Sequence, residues 1–308
     1  MGPHSRFPTL RRSSLTVPLS SERFIAKAHL RGADAITLDL EDGVAPAAKP
    51  AARERLPSAV AEVGRGGADV GVRINRPLAL AARDIEAAVI PGVSYLALAK
   101  VQSPDHIALL AELVAELEAE RGLPSGGIGF TAAIETPQAL ARVNEIAHAH
   151  PRLFGIGLGS EDFAAACGME PTAETLFVPK QMVVMAARAA GIVPLGFIGT
   201  VADYTDLEGL REVVRRSRLL GFRGASAIHP DQIPVLNAGF GPAPGEVERA
   251  QAILALDDGA AREGRGAFAF EGRMVDKPVV DRARETVALA IAIEQREARA
   301  ACRTQPHP

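Results

Sequence analysis

The sequence is poor in cysteine, in aromatic residues and in excess charge of either sign. Two cysteines in 308 residues cannot build a disulfide framework, and they are typical of a reducing compartment. Aromatic residues make up 4% of the chain and tryptophan is missing, which argues against a base-stacking surface for nucleic acid. A formal net charge of −3 provides no strong attraction to nucleic acid or anionic lipid. We therefore expect a cytoplasmic protein that binds neither nucleic acid nor membranes.

Long hydrophobic runs are also missing. No apolar stretch reaches the roughly 18 residues that a membrane-spanning helix needs, and the polar segment Met1–Arg12 lacks the apolar core of a secretion signal. Apolar residues nevertheless make up 47% of the chain and charged residues 23%, which is ordinary for a globular protein. The chain is therefore apolar enough to build a full core.

Short apolar runs alternate with amphipathic helical patterns. Most of the runs are continuously apolar, as is typical of parallel strands buried on both faces. Ser103-Pro104 and Thr136-Pro137 each combine a capping residue with a proline at the first helical position, so both predict a helix start. Eight strand–helix units in about 230 residues predict an α/β fold, a (β/α)8 TIM barrel. The predicted strands are Ser14–Pro18, Ala35–Leu40, Val70–Asn75, Tyr95–Lys100, Ile128–Glu135, Leu153–Gly159, Val193–Ile198 and Gly224–His229.

The rival fold is an open, doubly wound sheet. That fold usually carries a glycine-rich fingerprint after its first strand, and none follows Val17. We therefore assign residues 12–240 to a catalytic barrel domain and residues 241–308 to C-terminal helices with a lid segment. The lid is predicted in Asp258–Arg273, because a polar segment rich in glycine beside a barrel mouth is suited to closing over it.

Carboxylates follow the fifth and sixth predicted strands at the points where these strands end. Glu135 closes strand five, and Asp162 comes directly after strand six. Because the carboxyl ends of barrel strands build the active site, these two carboxylates are expected on one rim. Two such oxygen ligands are a start for a Mg²⁺ site, which keeps waters and substrate oxygens as its other ligands. The alternative is that each is an acid stabilised by a helix N-terminus.

Three acids, Asp39, Glu41 and Asp42, stand together at the end of strand two. Such a cluster is costly unless cations or hydrogen-bond donors accompany it, and Arg73 on strand three is the expected partner. The pair is either a structural ion pair or a guanidinium held ready for a developing oxyanion. Lys100 closes strand four, where it is either another ion-pair partner or a Schiff-base nucleophile.

Several longer segments occur in an order that characterises a known family. They are RSSLTVP, DAITLDLEDGVAP, VRIN, AAIETPQAL, GSEDF, DYTDLEG, AIHPDQI and GRMVDKP. On these segments the chain resembles the citrate lyase β-subunit-like family, also described as HpcH/HpaI aldolase/citrate lyase. The resemblance extends from about Arg12 to about Val280, and it agrees with the barrel fold predicted above.

The resemblance implies a Mg²⁺-dependent carbon–carbon lyase. Its substrate is a β-hydroxyacyl-CoA such as malyl-CoA or citramalyl-CoA, and the products are acetyl-CoA and a 2-oxo acid. Glu135 and Asp162 are the implied metal ligands and also contact substrate, while Arg73 is an implied substrate contact and catalytic residue. Asp276, in the GRMVDKP segment, is the implied catalytic residue of a lid that reaches the neighbouring subunit. A homo-oligomer, a trimer or a hexamer, is implied as well.

Contacts to CoA are expected from Arg12 and Lys27. The chain departs from the family pattern near this rim, at Ser21, at Ile198–Thr200 and at Gly224–Ser226. These departures motivate one alternative, a metal-dependent pyruvate aldolase that does not use CoA. A second alternative is a non-catalytic subunit that only binds an acyl-CoA or a 2-oxo acid.

Overall fold

Parallel strands form the framework of the protein. The computed structural model describes Phe7 and residues 10–199, 205–262 and 266–304. Eight strands pair in parallel in the order β7-β6-β5-β4-β3-β2-β1-β8, and a separate antiparallel pair joins β9 to β10. The strands are β1 (Ser13–Pro18), β2 (Ala35–Asp39), β3 (Asp69–Ile74), β4 (Val93–Leu98), β5 (Gly129–Ile134), β6 (Leu153–Leu158), β7 (Val193–Leu195), β8 (Ala225–Ala227), β9 (Phe268–Phe270) and β10 (Arg273–Val275).

Helices connect most of the strands. Ser103 and Thr136 cap helices as predicted, because their hydroxyls accept hydrogen bonds from the backbone N–H groups of His106 and Ala139, each at 3.2 Å. The helices are α1 (Glu22–Ala28), α2 (Lys49–Glu54), α3 (Leu56–Val63), α4 (Leu78–Ala88), α5 (Pro104–Glu120), α6 (Pro137–Ala141), α7 (Val143–Ala147), α8 (Ser160–Cys167), α9 (Phe177–Ala190), α10 (Leu207–Leu219), α11 (Gln232–Phe240), α12 (Pro244–Arg262) and α13 (Lys277–Thr304).

The eight-stranded sheet curls into a nearly closed barrel. A parallel bridge between Leu195 and Gly224 brings the β7 edge to the β8 edge, and the Gly196 N–H donates to the Gly224 carbonyl at 2.7 Å. The predicted (β/α)8 fold is therefore confirmed. Strand β7 is shorter than predicted, because Gly196 has φ +123°, a conformation that ends the extended strand and that glycine adopts most readily.

A buried ion pair supports the amino end of β5. The Glu118 carboxylate, 1% exposed, accepts hydrogen bonds from Arg152 Nη1 at 2.9 Å and Nη2 at 2.6 Å. The same carboxylate accepts the backbone N–H groups of Gly126 at 2.8 Å and Ile128 at 2.9 Å. This pair ties α5 to the segment entering β5, the strand that leads to Glu135.

The described residues divide into two compact units, one up to Phe240 and one from Gly241 onward. The second unit packs α12 and α13 around a small apolar cluster of Ala250, Ile253, Val275, Val280 and Ala283. The predicted lid segment is partly helical, because α12 continues to Arg262, and its later part enters the β9–β10 hairpin. Residues 263–265 of the lid, and Thr200, Asp203 and Tyr204 of the motifs above, lie outside the described residues.

Among the residues that the structure describes, none of the helices combines the length and the apolarity that crossing a lipid bilayer requires.

Candidate active site

Asp39 anchors an ion pair at the end of β2. Asp39 and Arg73 occupy paired positions of β2 and β3, so their side chains stand next to each other. The guanidinium donates from Nε and Nη2 to the two Asp39 oxygens, each at 2.7 Å, and Arg73 Nη1 lies 3.3 Å from Glu41 Oε2. The Asp39 carboxylate also accepts the Gly43 N–H at 2.9 Å. The structure therefore brings together the predicted Arg73 and its acids in a rigid, largely buried arrangement.

Lys100 joins the acid cluster to Asp162. Its ammonium donates to Glu41 Oε1 at 2.6 Å and to Asp42 Oδ2 at 3.0 Å, and it lies 4.0 Å from Asp162 Oδ1. Burial opposes the charge of Lys100, but its hydrogen bonds to Glu41 and Asp42 raise the pKa of the amine above its ordinary value. A permanently charged amine is a poor nucleophile, so the structure favours the ion-pair role that the sequence left open.

Glu135 is the least satisfied carboxylate at this rim. It follows β5, is 7% exposed, and its Oε2 atom is buried without a hydrogen-bond partner. Burial, followed by the charge of Asp162, raises the pKa of Glu135 to about 7, against the opposing charge of Lys100. Asp162 stands in the first turn of α8 with half of its side chain exposed. Glu135, Asp162 and Lys100 therefore occupy one rim of the barrel, as predicted for the two acids.

Gly159 brings β6 unusually close to the Glu135 side chain. A Cβ atom at this position would lie 2.5 Å from Glu135 Cγ and 2.7 Å from Oε1. Gly159 has φ −77° and ψ 100°, which most residues can adopt, so the need for glycine here comes from space. Within the described residues no group of three or more His, Cys, Asp or Glu side chains is arranged to hold a metal ion. Any ion at Glu135 and Asp162 therefore needs other oxygen ligands.

Two cavities adjoin this rim. The first, here named the barrel cavity, measures about 300 Å³ and is lined by Glu135 and Arg73 at one end and by Tyr95 further inside the barrel. TIM-barrel interiors are normally filled by side chains, and the small residues Ala97 and Gly157 leave this one open. Such a volume is at the lower end for small-molecule sites.

The second cavity, here named the rim cavity, measures about 470 Å³, and Lys100 forms part of its wall. Lys49, Arg76 and Asn75 contribute to its wall. Glu41 and Asp42 also line this cavity, so its three cationic side chains exceed its acids by one charge. The Arg76 Nε atom is buried without a hydrogen-bond partner. The rim cavity can therefore receive an anionic ligand.

Two sequence-predicted residues of the barrel unit are not brought to this rim. Arg12 precedes β1 at the opposite end of the barrel, where its guanidinium and backbone N–H bind the buried Asp34 carboxylate at 2.8–3.0 Å. Lys27 is exposed in the last turn of α1, which runs back toward the amino ends of the strands. Asp276 belongs to the second unit and lies half-buried between β10 and α13. The geometry therefore does not support Arg12 or Lys27 as CoA contacts.

Two buried lysines were missed by the sequence analysis. Lys49 donates to the Leu40 and Glu41 carbonyls and to Asn75 Oδ1, each at 2.7 Å, and so holds the chain after β2. Lys180 on α9 donates to the Phe197 carbonyl after β7. For Lys180 a signal existed, because it occupies the same helix face as the apolar Val183, Val184 and Ala187.

The comparison with known proteins decides the family. The sequence profile of the family described as HpcH/HpaI aldolase/citrate lyase matches residues 12–230. The chain belongs to this family. It is 34% identical to the citrate lyase subunit beta of Leuconostoc mesenteroides subsp. cremoris over 92% of this chain and 94% of that protein. It is 33% identical to the human mitochondrial citramalyl-CoA lyase over 93% and 87% of the two chains.

A solved structure agrees with these relatives. The CitE protein of Mycobacterium tuberculosis, in complex with magnesium, acetoacetate and coenzyme A, superposes with a TM-score of 0.70 at 32% identity. The match covers 90% of this chain and 97% of that one. The protein described here is thus an enzyme of an aldolase and lyase family, and its relatives include proteins named for lyase reactions and crystallised with magnesium and CoA.

Proposed function

We propose that the protein is a Mg²⁺-dependent carbon–carbon lyase. Its substrate is a β-hydroxyacyl-CoA such as malyl-CoA or citramalyl-CoA, which it cleaves to, or forms from, acetyl-CoA and a 2-oxo acid. The observation that carries the proposal is Glu135, a buried carboxylate with an unpartnered oxygen beside the second carboxylate, Asp162. Two neighbouring carboxylates are costly without a cation. An all-oxygen ligand set of this kind suits Mg²⁺.

Each residue has a distinct chemical role in this proposal. When bound, Mg²⁺ supplies a Lewis acid that orients the 2-oxo acid and stabilises negative charge on its oxygens. Arg73 lines the barrel cavity and is held by Asp39, so its guanidinium is positioned to stabilise the enolate oxygen left on the acetyl thioester when the carbon–carbon bond breaks. Asp276 donates a proton to the enolate carbon in cleavage and removes that proton in condensation.

For Asp276 we propose delivery by a neighbouring subunit. Strand β10, directly before it, exposes Met274, 76% accessible, and burying an exposed apolar side chain against another surface is favourable. A site completed in this way requires at least a dimer, and we propose a trimer or hexamer. Mixing inactive Asp276→Ala and Arg73→Ala subunits should restore part of the activity. Mixtures as inactive as their components would exclude sharing between subunits.

The CoA part of the substrate is proposed to occupy the rim cavity. This cavity shares Lys100 with the metal end of the site and presents Arg76 with an unpartnered buried nitrogen. Guanidinium and ammonium groups are the usual partners of phosphate oxygens. The crystallised relative with bound coenzyme A supports a CoA ligand in this family.

Turnover of a thioester panel tests the proposal. The purified protein is assayed on malyl-CoA, citramalyl-CoA and citryl-CoA with and without Mg²⁺, and acetyl-CoA, free CoA and 2-oxo acid are quantified separately. Glu135→Gln and Asp162→Asn should lose Mg²⁺ binding and turnover, and Arg73→Met should lose about 10²–10³ in rate. Arg65→Met, which alters only an exposed pair with Glu62, is the matched control and should remain fully active.

The two alternatives give different results in the same assay. A pyruvate aldolase independent of CoA cleaves a free 4-hydroxy-2-oxo acid and ignores the thioesters. A non-catalytic subunit binds acyl-CoA or 2-oxo acid and turns over no compound in the panel. Release of free CoA without acetyl-CoA would indicate thioester hydrolysis and would contradict the lyase proposal.

A further inference from the structure

Arg11 is a buried cation at the amino end of the barrel. It is 2% exposed and lines the barrel cavity. Because it comes before β1, whereas Glu135 follows β5, it stands at the end of the cavity opposite the acidic rim. Its guanidinium carbon lies 4.3 Å from the centre of the Tyr95 ring and 4.9 Å from the centre of the Phe154 ring. Aromatic rings therefore fix the position of a cation that the proposed reaction leaves unused.

Most of the hydrogen-bonding capacity of Arg11 is unfilled. Its Nη2 atom lies 3.4 Å from Asp69 Oδ2. Within the described residues, its Nε and Nη1 atoms are buried without a hydrogen-bond partner. Aromatic ring faces attract the charge, but they are weak acceptors for an N–H group. A guanidinium stays protonated in proteins, so it cannot avoid the cost of burial by losing its charge. Arg11 therefore needs a further acceptor, and a negatively charged one suits it best.

Two other buried arginines of the barrel unit have complete ion pairs. Arg12 donates from Nε and Nη2 to the Asp34 carboxylate, each at 3.0 Å. Arg152 donates to the Glu118 carboxylate at 2.9 Å and 2.6 Å. Both carboxylates are 1% exposed, so they belong to their arginines. Arg11 has only one contact, at 3.4 Å, to a carboxylate that is 24% exposed.

Three hydroxyl groups line the cavity near this guanidinium. Thr37 Oγ1 lies 2.6 Å from Tyr95 Oη and 2.9 Å from Ser14 Oγ, whereas Ser14 and Tyr95 are 3.3 Å apart. Three hydroxyls carry three O–H donors, and the two short contacts use two of them. One O–H group can therefore turn toward a ligand. We name the part of the barrel cavity lined by Arg11, Ser14, Thr37 and Tyr95 the inner chamber.

The inner chamber lies below the acidic rim. Tyr95 pairs with Gly71 of β3, and Arg73 stands two residues further along that strand, a rise of about 7 Å. Glu135 and Glu161, the carboxylates among the described residues that line the cavity, both follow strands and belong to the rim. A ligand beside Arg11 is therefore separated from the negative charge that would repel an anion.

We propose that the inner chamber binds a small monovalent anion with the size and charge of chloride, bromide or formate. Arg11 supplies the positive charge and an N–H donor, and the hydroxyl groups supply an O–H donor. A halide is only slightly larger than a water molecule, which occupies about 30 Å³, so it fits a cavity of about 300 Å³. The inference does not rest on the proposed function, because the inner chamber contains none of the residues assigned to the metal, the enolate or CoA.

Bromide and chloride are the probes for this site. Crystals of the full-length protein soaked in sodium bromide should show an anomalous peak within about 3.5 Å of Arg11 Nε or Nη1. In solution, the protein should broaden the NMR line of chloride in a saturable way. Bromide and formate should compete, whereas sulfate, which is larger and doubly charged, should not.

Three variants locate the binding. Arg11→Met should weaken chloride binding by about 10- to 100-fold. Tyr95→Phe keeps the aromatic ring but removes one hydroxyl, and it should weaken binding by about 2- to 10-fold. Arg83→Met changes an exposed arginine of α4 and is the matched control, with the chloride affinity of the wild type.

Each contrary result overturns the proposal. Bromide found only at the rim, beside Arg73 or Lys180, places the anion elsewhere. Bromide at Arg11 without saturable chloride binding in solution is an adventitious ion only. Chloride binding of full strength in a folded Arg11→Met variant excludes the guanidinium. Thermal unfolding shows which variants are folded, and the bromide position and Tyr95→Phe decide the matter if Arg11→Met is not.

Discussion

Replacing Gly159 by alanine displaces Glu135 without deleting it. The added Cβ atom would lie 2.5 Å from Glu135 Cγ and 2.9 Å from Cδ, whereas comfortable carbon contacts are about 3.5–4.0 Å. The Glu135 side chain must therefore move by about 1 Å. The three atoms nearest to the added Cβ, which are Cγ, Oε1 and Cδ, all belong to the Glu135 side chain. The backbone of β5 can therefore stay in place.

We expect the Gly159→Ala substitution to change the stability of the protein only slightly but to weaken Mg²⁺ binding strongly. Alanine is a poorer helix N-cap than glycine, which destabilises the folded protein. Alanine also lowers the conformational entropy of the unfolded chain, which stabilises the folded protein by about 0.4–1 kcal/mol. The two effects therefore nearly cancel. The melting temperature should change by less than about 4 °C. Because the added methyl group at position 159 displaces the proposed metal ligand Glu135, Mg²⁺ binding should weaken by about 10- to 100-fold.

Calorimetric Mg²⁺ titration and thermal unfolding measure both quantities. Gly259→Ala is the matched control, since a Cβ atom there meets nothing within 4 Å, and its Mg²⁺ affinity should equal that of the wild type. In a Glu135→Ala background, Gly159→Ala should add no further loss. Unchanged Mg²⁺ affinity in a well-folded Gly159→Ala variant would refute Glu135 as a metal ligand.

Three further predictions concern polar groups of the barrel unit. Arg152→Met leaves Glu118 buried without its partner, so the free energy of unfolding in urea should fall by about 3–5 kcal/mol; a fall below about 1 kcal/mol contradicts this. Burial, with the nearby charge of Arg76, lowers the pKa of His106 to about 4 from its ordinary 6.5. The unfolded chain therefore binds the proton more readily, and stability falls as the pH drops from about 6.5 toward 4. The melting temperature of His106→Gln should depend less on pH than that of the wild type. Parallel plots of melting temperature against pH for the two proteins would exclude a contribution of His106 protonation to stability. Lys100→Met should lower the free energy of unfolding by about 1–3 kcal/mol, with Lys100→Arg as the control, and equal stability of the two variants contradicts the ion pair.

The barrel and its acidic rim could be predicted because both depend on local patterns. Continuously apolar runs indicate buried parallel strands, and parallel connections place all their carboxyl ends on one rim. The acids that close such runs, Asp39 and Glu135, can therefore be assigned to the rim from the sequence, without knowledge of the strand order. Arg73 followed from the same logic, since it stands on the next strand at the register position beside Asp39.

Residues that act from a distance could not be assigned in this way. Lys180 belongs to α9 and bonds carbonyl groups after β7, a contact that depends on how the helix packs on the sheet. The sequence predicts Arg12 as a CoA contact, and the structure pairs its guanidinium with Asp34, 22 positions away. The partner of a charged residue depends on the tertiary structure, so the sequence alone could not show that Arg12 pairs with Asp34.

The order of apolar and polar residues by itself determined the fold class, the number of barrel strands and the rim that carries the acids, because these follow from periodicity and chain connection. Beyond the predicted pairing of Arg73 with the acids after β2, the tertiary structure alone decided which charges are paired and which remain available. Helix packing and strand register set the distances between side chains, and electrostatic energies depend on those distances and on burial. The unpartnered oxygen of Glu135 is a property of that packing.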